Sequence, residues 1–202
     1  LREGLAFDEC QVGVVTNVTA DHLGMGGIQT LDQLASVKQV VVEAVSRDGA
    51  AVLNAEDSRV AQMAAAARGR VVYFAHSADH PVLAAHLAEG EAGVYIEDGR
   101  IVVAHGKQTV ELVELERIGF TLGGKIDFQV MNALAATAAA WAAGLNPAMI
   151  ARALTTFTTD EVTVPGRFNR LELNGDALIL DYGHNPAARA ALGQAVNALE
   201  PR

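Results

Sequence analysis

Apolar positions along the chain follow two rhythms, a short continuous one and a longer helical one, and they alternate. Residues 11–18 (QVGVVTNV) form a short β-branched run, the pattern of a strand buried on both faces. A Gly-rich loop (GMGG) follows, and Thr30 then opens a helix over 31–45, with Gln33 three residues on completing a capping box. Beyond it AAVLN reads as a strand, SRVAQMAAAA as a helix and RVVYFA as another strand. Strands alternating with helices predict a mostly parallel α/β sheet. Between about 92 and 113 the rhythm changes. There EDG joins two alternating runs as a tight hairpin and HGKQ leads into a third strand, which predicts a small antiparallel insertion at the sheet edge.

An Ala-dense helix is predicted over 127–144, with Gly144 suited to the position just past its end. Asn146 and Pro147 then cap and start a helix running to about 157. The polar run TTDEVTVPG (158–166) is the best linker in the chain and divides it into 1–164 and 165–202. After the linker, RFNRLEL-NG-DALILDY predicts a hairpin with an Asn-Gly turn, and NPAARAALGQAVNAL a helix with Pro186 near its start. A strand pair with one helix is too little to bury its own core, so the sequence is expected to belong to a longer protein.

Half of the 202 residues are hydrophobic and 19% are charged, enough to build a sizeable core. The net charge of −9 argues against nucleic acid or an anionic membrane surface as the main partner. A single cysteine, Cys10, excludes an intramolecular disulfide and a Cys-based zinc site, and suits a reducing, cytoplasmic setting. No apolar run approaches the roughly 18 residues of a membrane span. Composition leaves a homo-oligomer open.

Candidate chemistry gathers at two predicted strand exits. In TNVTADHLG (16–24) a buried strand delivers Asn17, Asp21 and His22 into one loop, and ligands of open α/β sheets bind outside such ends. Asn and Asp are also ordinary turn formers. A His here can ligate a metal through one ring nitrogen, and hard oxygen ligands beside it would suit Mg²⁺. Lys38 falls in the middle of the helical stripe of Leu31, Leu34, Ala35, Val41, Val42 and Val45. A buried ammonium there has to be paired, shifted in pKa or chemically modified, unless its stem carries the charge out to water. The second exit, LDYGHNP (180–186), places Asp181, Tyr182, His184 and Asn185 before a helix, and Arg167 stands in PGRF just past the linker. Asp181 could bind a ribose and Arg167 a phosphate, although a capped loop and a surface Arg explain each of them alone. Asn132 could be only a polar residue of a helix's first turns. His76, His80, His86 and His105 sit in polar surroundings and are expected to be solvated. No GxxxxGK[ST] phosphate loop occurs, so a complete nucleotide-hydrolysing site cannot be assembled from these residues.

Taken in order, LREGLAFDECQVGVVTNVTADHLG, VKQVVVEAV, AVLNAEDSRV, FQVMNALAATAAAWAAG, PGRFN and LDYGHNPAARAAL resemble the Mur ligases. The resemblance implies most of a central ATPase domain over 1–164 and the start of a Rossmann-like C-terminal domain over 165–202. It further implies an ATP- and Mg²⁺-dependent amide ligase that works through an acyl phosphate. By resemblance His22 is a metal ligand. Lys38 matches a lysine that many members carbamylate near that metal, and Asn132 lies near the adenine. Arg167 and Asp181 close over phosphate and ribose, and His184 and Asn185 belong to the family's DYAHNP loop, with Gly183 in place of its Ala. The DHLG and PGRFN forms tilt the expectation toward members that join arginine to aspartate side chains of a polyaspartate backbone. Peptidoglycan-precursor and folylpolyglutamate ligases are the alternatives within the family, and a non-catalytic binding or assembly module is the alternative outside it. The family's phosphate loop is expected upstream of Leu1, so these 202 residues alone are expected to bind ATP poorly and to hydrolyse none.

Overall fold

The computed structural model describes residues 4–21, 23–24 and 26–199. Six strands form one sheet in the order β1 (Cys10–Val15), β2 (Val45–Asn54), β3 (Arg70–Phe74), β4 (Ala92–Glu97), β5 (Arg100–His105) and β6 (Gln108–Glu114). The first four run parallel, while β5 and β6 return antiparallel. The predicted insertion is thus a continuation of the main sheet. Its first turn is set by Asp98 and Gly99, both at positive φ (47° and 73°), as a tight two-residue hairpin demands.

Helices cover both faces. Between β1 and β2 lies α1 (Leu31–Glu43), opened by Thr30 and Gln33 in the expected reciprocal capping box. Then come α2 (Ser58–Gln62), which tightens into a 3₁₀ turn over Met63–Ala66, and α3 (Pro81–Ala88), a helix the sequence pattern did not reveal. These pack on one face, where Leu34, Val42, Val60 and Leu83 meet Val15, Leu53 and Tyr73. On the other face α4 (Asp127–Ala142) and α5 (Pro147–Thr156) bring Val130, Leu134, Ile150 and Leu154 onto Val52, Val72, Phe74, Val94 and Ile101. Val52 and Leu53 point to opposite faces and are both fully buried, which is why the strand reads as an unbroken apolar run. Helix α1 stops at Glu43, so Val45 leaves the predicted helical stripe and opens β2 instead.

The remaining elements are a hairpin, β7 (Asn169–Leu173) with β8 (Asp176–Leu180), and α6 (Pro186–Ala198). Asn174 and Gly175 form the turn at φ 54° and 90°, as the Asn-Gly pair predicts. A small third cluster joins this lobe to the first: Phe168 and Ala195 pack with Ile126, flanked by Phe128, Ile179 and Leu192. The hairpin's outer face leaves Leu173, Leu178 and Leu180 exposed.

The connecting segment is held by one carboxylate. Asp160 Oδ1 accepts from the amides of Val162 (3.0 Å) and Thr163 (2.6 Å), and Oδ2 accepts from the Thr158 hydroxyl at 2.9 Å. The Thr163 amide, helped by the hydroxyls of Thr163 and Thr158, lowers the Asp160 pKa to about 2. A depressed carboxylate pKa contributes stability above the ordinary value, and that contribution is lost as pH falls through the folded-state value. An NMR titration of the side-chain carboxyl should therefore show a midpoint near 2, with the amides of Val162 and Thr163 shifting together. A midpoint near 4 would mean the turn does not form in solution.

Candidate functional site

The parallel strands end along one side of the sheet, and the loops leaving them are tied to one another by polar side chains. Asn54, the last residue of β2, donates from Nδ2 to the Thr16 carbonyl at 2.9 Å. Asp57 caps α2 through Oδ1, and its Oδ2 accepts from the Val18 amide at 2.6 Å. The loop that leaves β1 is therefore held by the loop that leaves β2. Sequence reasoning assigned no such role to Asn54 or Asp57; the polar run NAED after a buried strand was the available signal.

Lys38 lies on the inner side of α1, one turn from Leu34 and one from Val42, both buried. It is half-buried, and Nζ donates to the Asn17 carbonyl at 2.9 Å. Of the outcomes open to a lysine on an apolar stripe, pairing is the one observed. The ammonium reaches the β1 exit, and its bond there is exposed to solvent. Asn17 also donates from Nδ2 to the Thr16 hydroxyl at 3.4 Å. His22 lies outside the described residues. Asp21, its neighbour, is half-buried, with Oδ2 3.4 Å from Nε2 of His184. That contact brings the β1 exit against the β8 exit, so the two loops singled out in the sequence meet.

On the second lobe, Asp181 accepts from the Phe168 amide through Oδ2 (3.0 Å) and from the Gly183 amide through Oδ1 (2.7 Å). A carboxylate has about four lone-pair sites, so Asp181 retains acceptor capacity while it ties PGRF to LDYGHNP. Phe168 sits at φ 54°, a strained conformation for a bulky residue, and is 3% exposed. Its ring meets Phe128 edge-on at 5.5 Å. The neighbouring Arg167 is thereby set out into solvent, with its guanidinium 5.9 Å from the Tyr182 ring centroid. Asn185 caps α6 by accepting from the Ala188 amide at 2.8 Å, which accounts for an Asn before Pro186 without any ligand. On α4, Asn132 is exposed and donates to Gln129 Oε1 at 3.1 Å.

The histidines depart from expectation. His76, at the β3 exit, is half-buried. Its amide donates to Glu56 Oε1 at 2.7 Å, and Nδ1 lies 3.1 and 3.0 Å from the two Glu56 oxygens. Nε2 stands 2.9 Å from Asp127 Oδ1, off the direction of a hydrogen bond. Burial pushes the Glu56 carboxyl up, but the amide, ring and charge of His76, with His80 beyond, outweigh it and hold it below its ordinary value. His80 Nδ1 is buried without a partner, and His86 Nε2 meets the Val71 carbonyl at 3.1 Å. Of these four, His105 alone is exposed as expected. Polar neighbours in sequence do not imply water in space.

Asn132, Asp181 and Arg167 carry an amide, a carboxylate and a guanidinium. Among the described residues no group of three His, Cys, Asp or Glu could hold a metal, and Lys38 in its ammonium form repels one. Also among the described residues, no helix is long and apolar enough to cross a membrane.

Residues 4–140 match the sequence profile of the Mur ligase middle domain. The chain is 43% identical over 196 residues to a cyanophycin synthetase of Synechocystis sp., covering 97% of this chain and 22% of that protein. The chain thus spans about a fifth of the length of the relatives it matches. MurF of Acinetobacter baumannii superposes at a TM-score of 0.62 and 21% identity, over 93% of this chain and 37% of that one. MurF of Thermotoga maritima, solved in complex with ADP, superposes at 0.59 and 18% identity, over 94% and 40%.

Proposed function

Because the chain belongs to the Mur ligase family, a family of ligases, we propose that it is the central part of an ATP-dependent amide ligase, and that this ligase is a cyanophycin synthetase. In this reading residues 1–164 are most of the middle domain and 165–202 open the C-terminal domain. The enzyme joins an amine of arginine to aspartate side-chain carboxylates of a polyaspartate backbone, in the cytoplasm. The observation that supports the reading is the meeting of the two strand-exit loops at Asp21 and His184, which puts candidate residues of both lobes beside one another.

When bound, ATP supplies a phosphoryl group that turns the aspartate carboxylate into an acyl phosphate, and the amine then displaces phosphate to form the amide. In this reading Asn132 hydrogen-bonds the base and Asp181 accepts from a ribose hydroxyl. Arg167 pairs with a phosphate, and Asn185 keeps the start of α6 ordered beside it. Lys38, after losing its ammonium proton, would add CO₂ through the free amine with release of a second proton, and the resulting carbamate would supply oxygen ligands where the ammonium cannot. His22 would join it at Mg²⁺.

Incubating the full gene product with ATP, aspartate, arginine and a cyanophycin primer should release ADP in a primer-dependent manner. Turnover indifferent to primer would overturn the cyanophycin assignment. The 202-residue polypeptide alone should bind ATP at millimolar concentration or not at all. Hydrogen bonds of the kind made by these residues contribute roughly 0.5–3 kcal/mol each, and immobilising the ligand offsets several kcal/mol of that.

A further inference from the structure

The first turn of α4 lacks the usual device for its start. Ile126 occupies the N-cap, and no side chain there accepts from the helix's free amides. Ile126 itself is fully buried and hydrogen-bonded from its amide to the Thr121 carbonyl, so the chain entering α4 is anchored. The first turn needs a second anchor to fix its direction, and the one present comes from outside the helix. His76 lies between Glu56 and Asp127, with Nδ1 on the Glu56 carboxylate and Nε2 2.9 Å from Asp127 Oδ1. Glu56 lies two residues past the end of β2 and Asp127 is the first residue of α4. One imidazole therefore joins two strand exits to a helix start.

We propose that His76 is a positioning residue that clasps the first turn of α4 to the β2 and β3 exits and so sets the orientation of Asn132, the residue read above as meeting the nucleotide base, together with the Gln129 side chain it donates to. The inference rests on the reading of α4 as the base-contacting helix. Glu56 anchors the ring: it accepts both the backbone amide and Nδ1 of His76, which fixes the imidazole and leaves Nε2 within ionic contact of Asp127, 2.9 Å away but off the direction of a hydrogen bond. Asp127 completes the contact while its negative charge favours the helix's N-terminal end. Asn132 is one turn and a half further along and carries its amide beside Gln129. A tilt of the first turn would move this amide pair relative to the base and leave the phosphate contacts of the other lobe in place.

The test compares ATP with inorganic tripolyphosphate, which lacks base and ribose, as ligands of the full gene product in calorimetric titrations. His76→Ala should weaken ATP about three- to tenfold, the range for one lost hydrogen bond of ordinary strength, and leave tripolyphosphate affinity unchanged. His76→Gln, whose amide still donates to Glu56 or Asp127, should recover part of the ATP affinity. If His76→Ala does not fold, Asp127→Ala carries the same comparison from a side chain that is 75% exposed and outside the core. Asn132→Ala separates the two ideas. If it weakens ATP selectively and the His76 and Asp127 variants do not, the clasp is wrong and the base-helix reading stands. If Asn132→Ala leaves ATP affinity unchanged, the base-helix reading fails and takes the clasp with it. Equal loss of both ligands in the His76 and Asp127 variants would show a merely structural role and also overturn the proposal.

Discussion

Replacing Lys38 by arginine is expected to lower ligase turnover of the full gene product by at least about a hundredfold, the scale on which lost metal-site or oxyanion-type electrostatics are felt. The substitution separates two roles that alanine would confound. If Lys38 serves only to hold the β1 exit, a guanidinium with five donors can still reach the Asn17 carbonyl, which Nζ now meets at 2.9 Å. Turnover would then survive. If Lys38 acts as a carbamate, arginine fails, because its guanidinium stays protonated in proteins and offers no free amine to CO₂. Folding should change little in either case, since the side chain is half-buried and its stem is replaced by one of similar length. The thermal midpoint is the control. Turnover above about a tenth of the parent's, set against that hundredfold expectation, would sink the carbamate role and leave Lys38 as a structural peg.

Replacing Gly13 by alanine should destabilise the chain by about 1–3 kcal/mol, the usual range for overpacking a close contact. Gly13 lies in the middle of β1, buried beneath α1. A Cβ there would stand 2.7 Å from the Val41 carbonyl oxygen and 2.8 Å from Val45 Cγ2. The first of these is helix backbone and cannot rotate away, so α1 must lift from the sheet. Lys38 is three residues before Val41 on that helix, so the strain reaches its bond to Asn17 as well. For a chain of this size the loss corresponds to a fall in midpoint of about 2–12 °C. Gly193 in α6 supplies the opposite sign. A Cβ there meets nothing within 4 Å, so Gly193→Ala should stabilise by about 0.4–1 kcal/mol through helix propensity and unfolded-state entropy. An unchanged midpoint for Gly13→Ala would show that α1 does not pack against β1 as described.

Much of the fold was legible because its signals are local. A capping box spans four residues, an Asn-Gly turn two, and a buried parallel strand five or six, and each was read within its own stretch. Helix α3 escaped because it offers no stripe: eight residues led by Pro81, nearly all apolar or small, with only Leu83 buried. The candidate site was legible by residue type and hidden in its pairings. Lys38 was singled out correctly as a charge on an apolar face, yet nothing in its neighbourhood names Asn17 as its partner. Asn185 was read as part of a ligand loop, and its observed bond is an ordinary helix cap.

By itself the sequence determined the order of strands and helices, where most of them start and stop, and which residues have chemistry to offer at the strand exits. Those properties follow from backbone sterics, turn conformations and side-chain periodicity, which act over a few neighbouring residues. Only the tertiary structure decided that His76 stands between Glu56 and Asp127, that Asp21 meets His184, and that Asp181 ties Phe168 to its own loop. The last pair is closed by the β7–β8 hairpin, which sets Asn169 against Leu180, while the other partners come from elements further apart in the chain that only the packed fold brings together. Burial then acts on groups that look solvated in the sequence. It makes polar partners necessary, because an unpaired polar group removed from water costs more than its hydrogen bond returns.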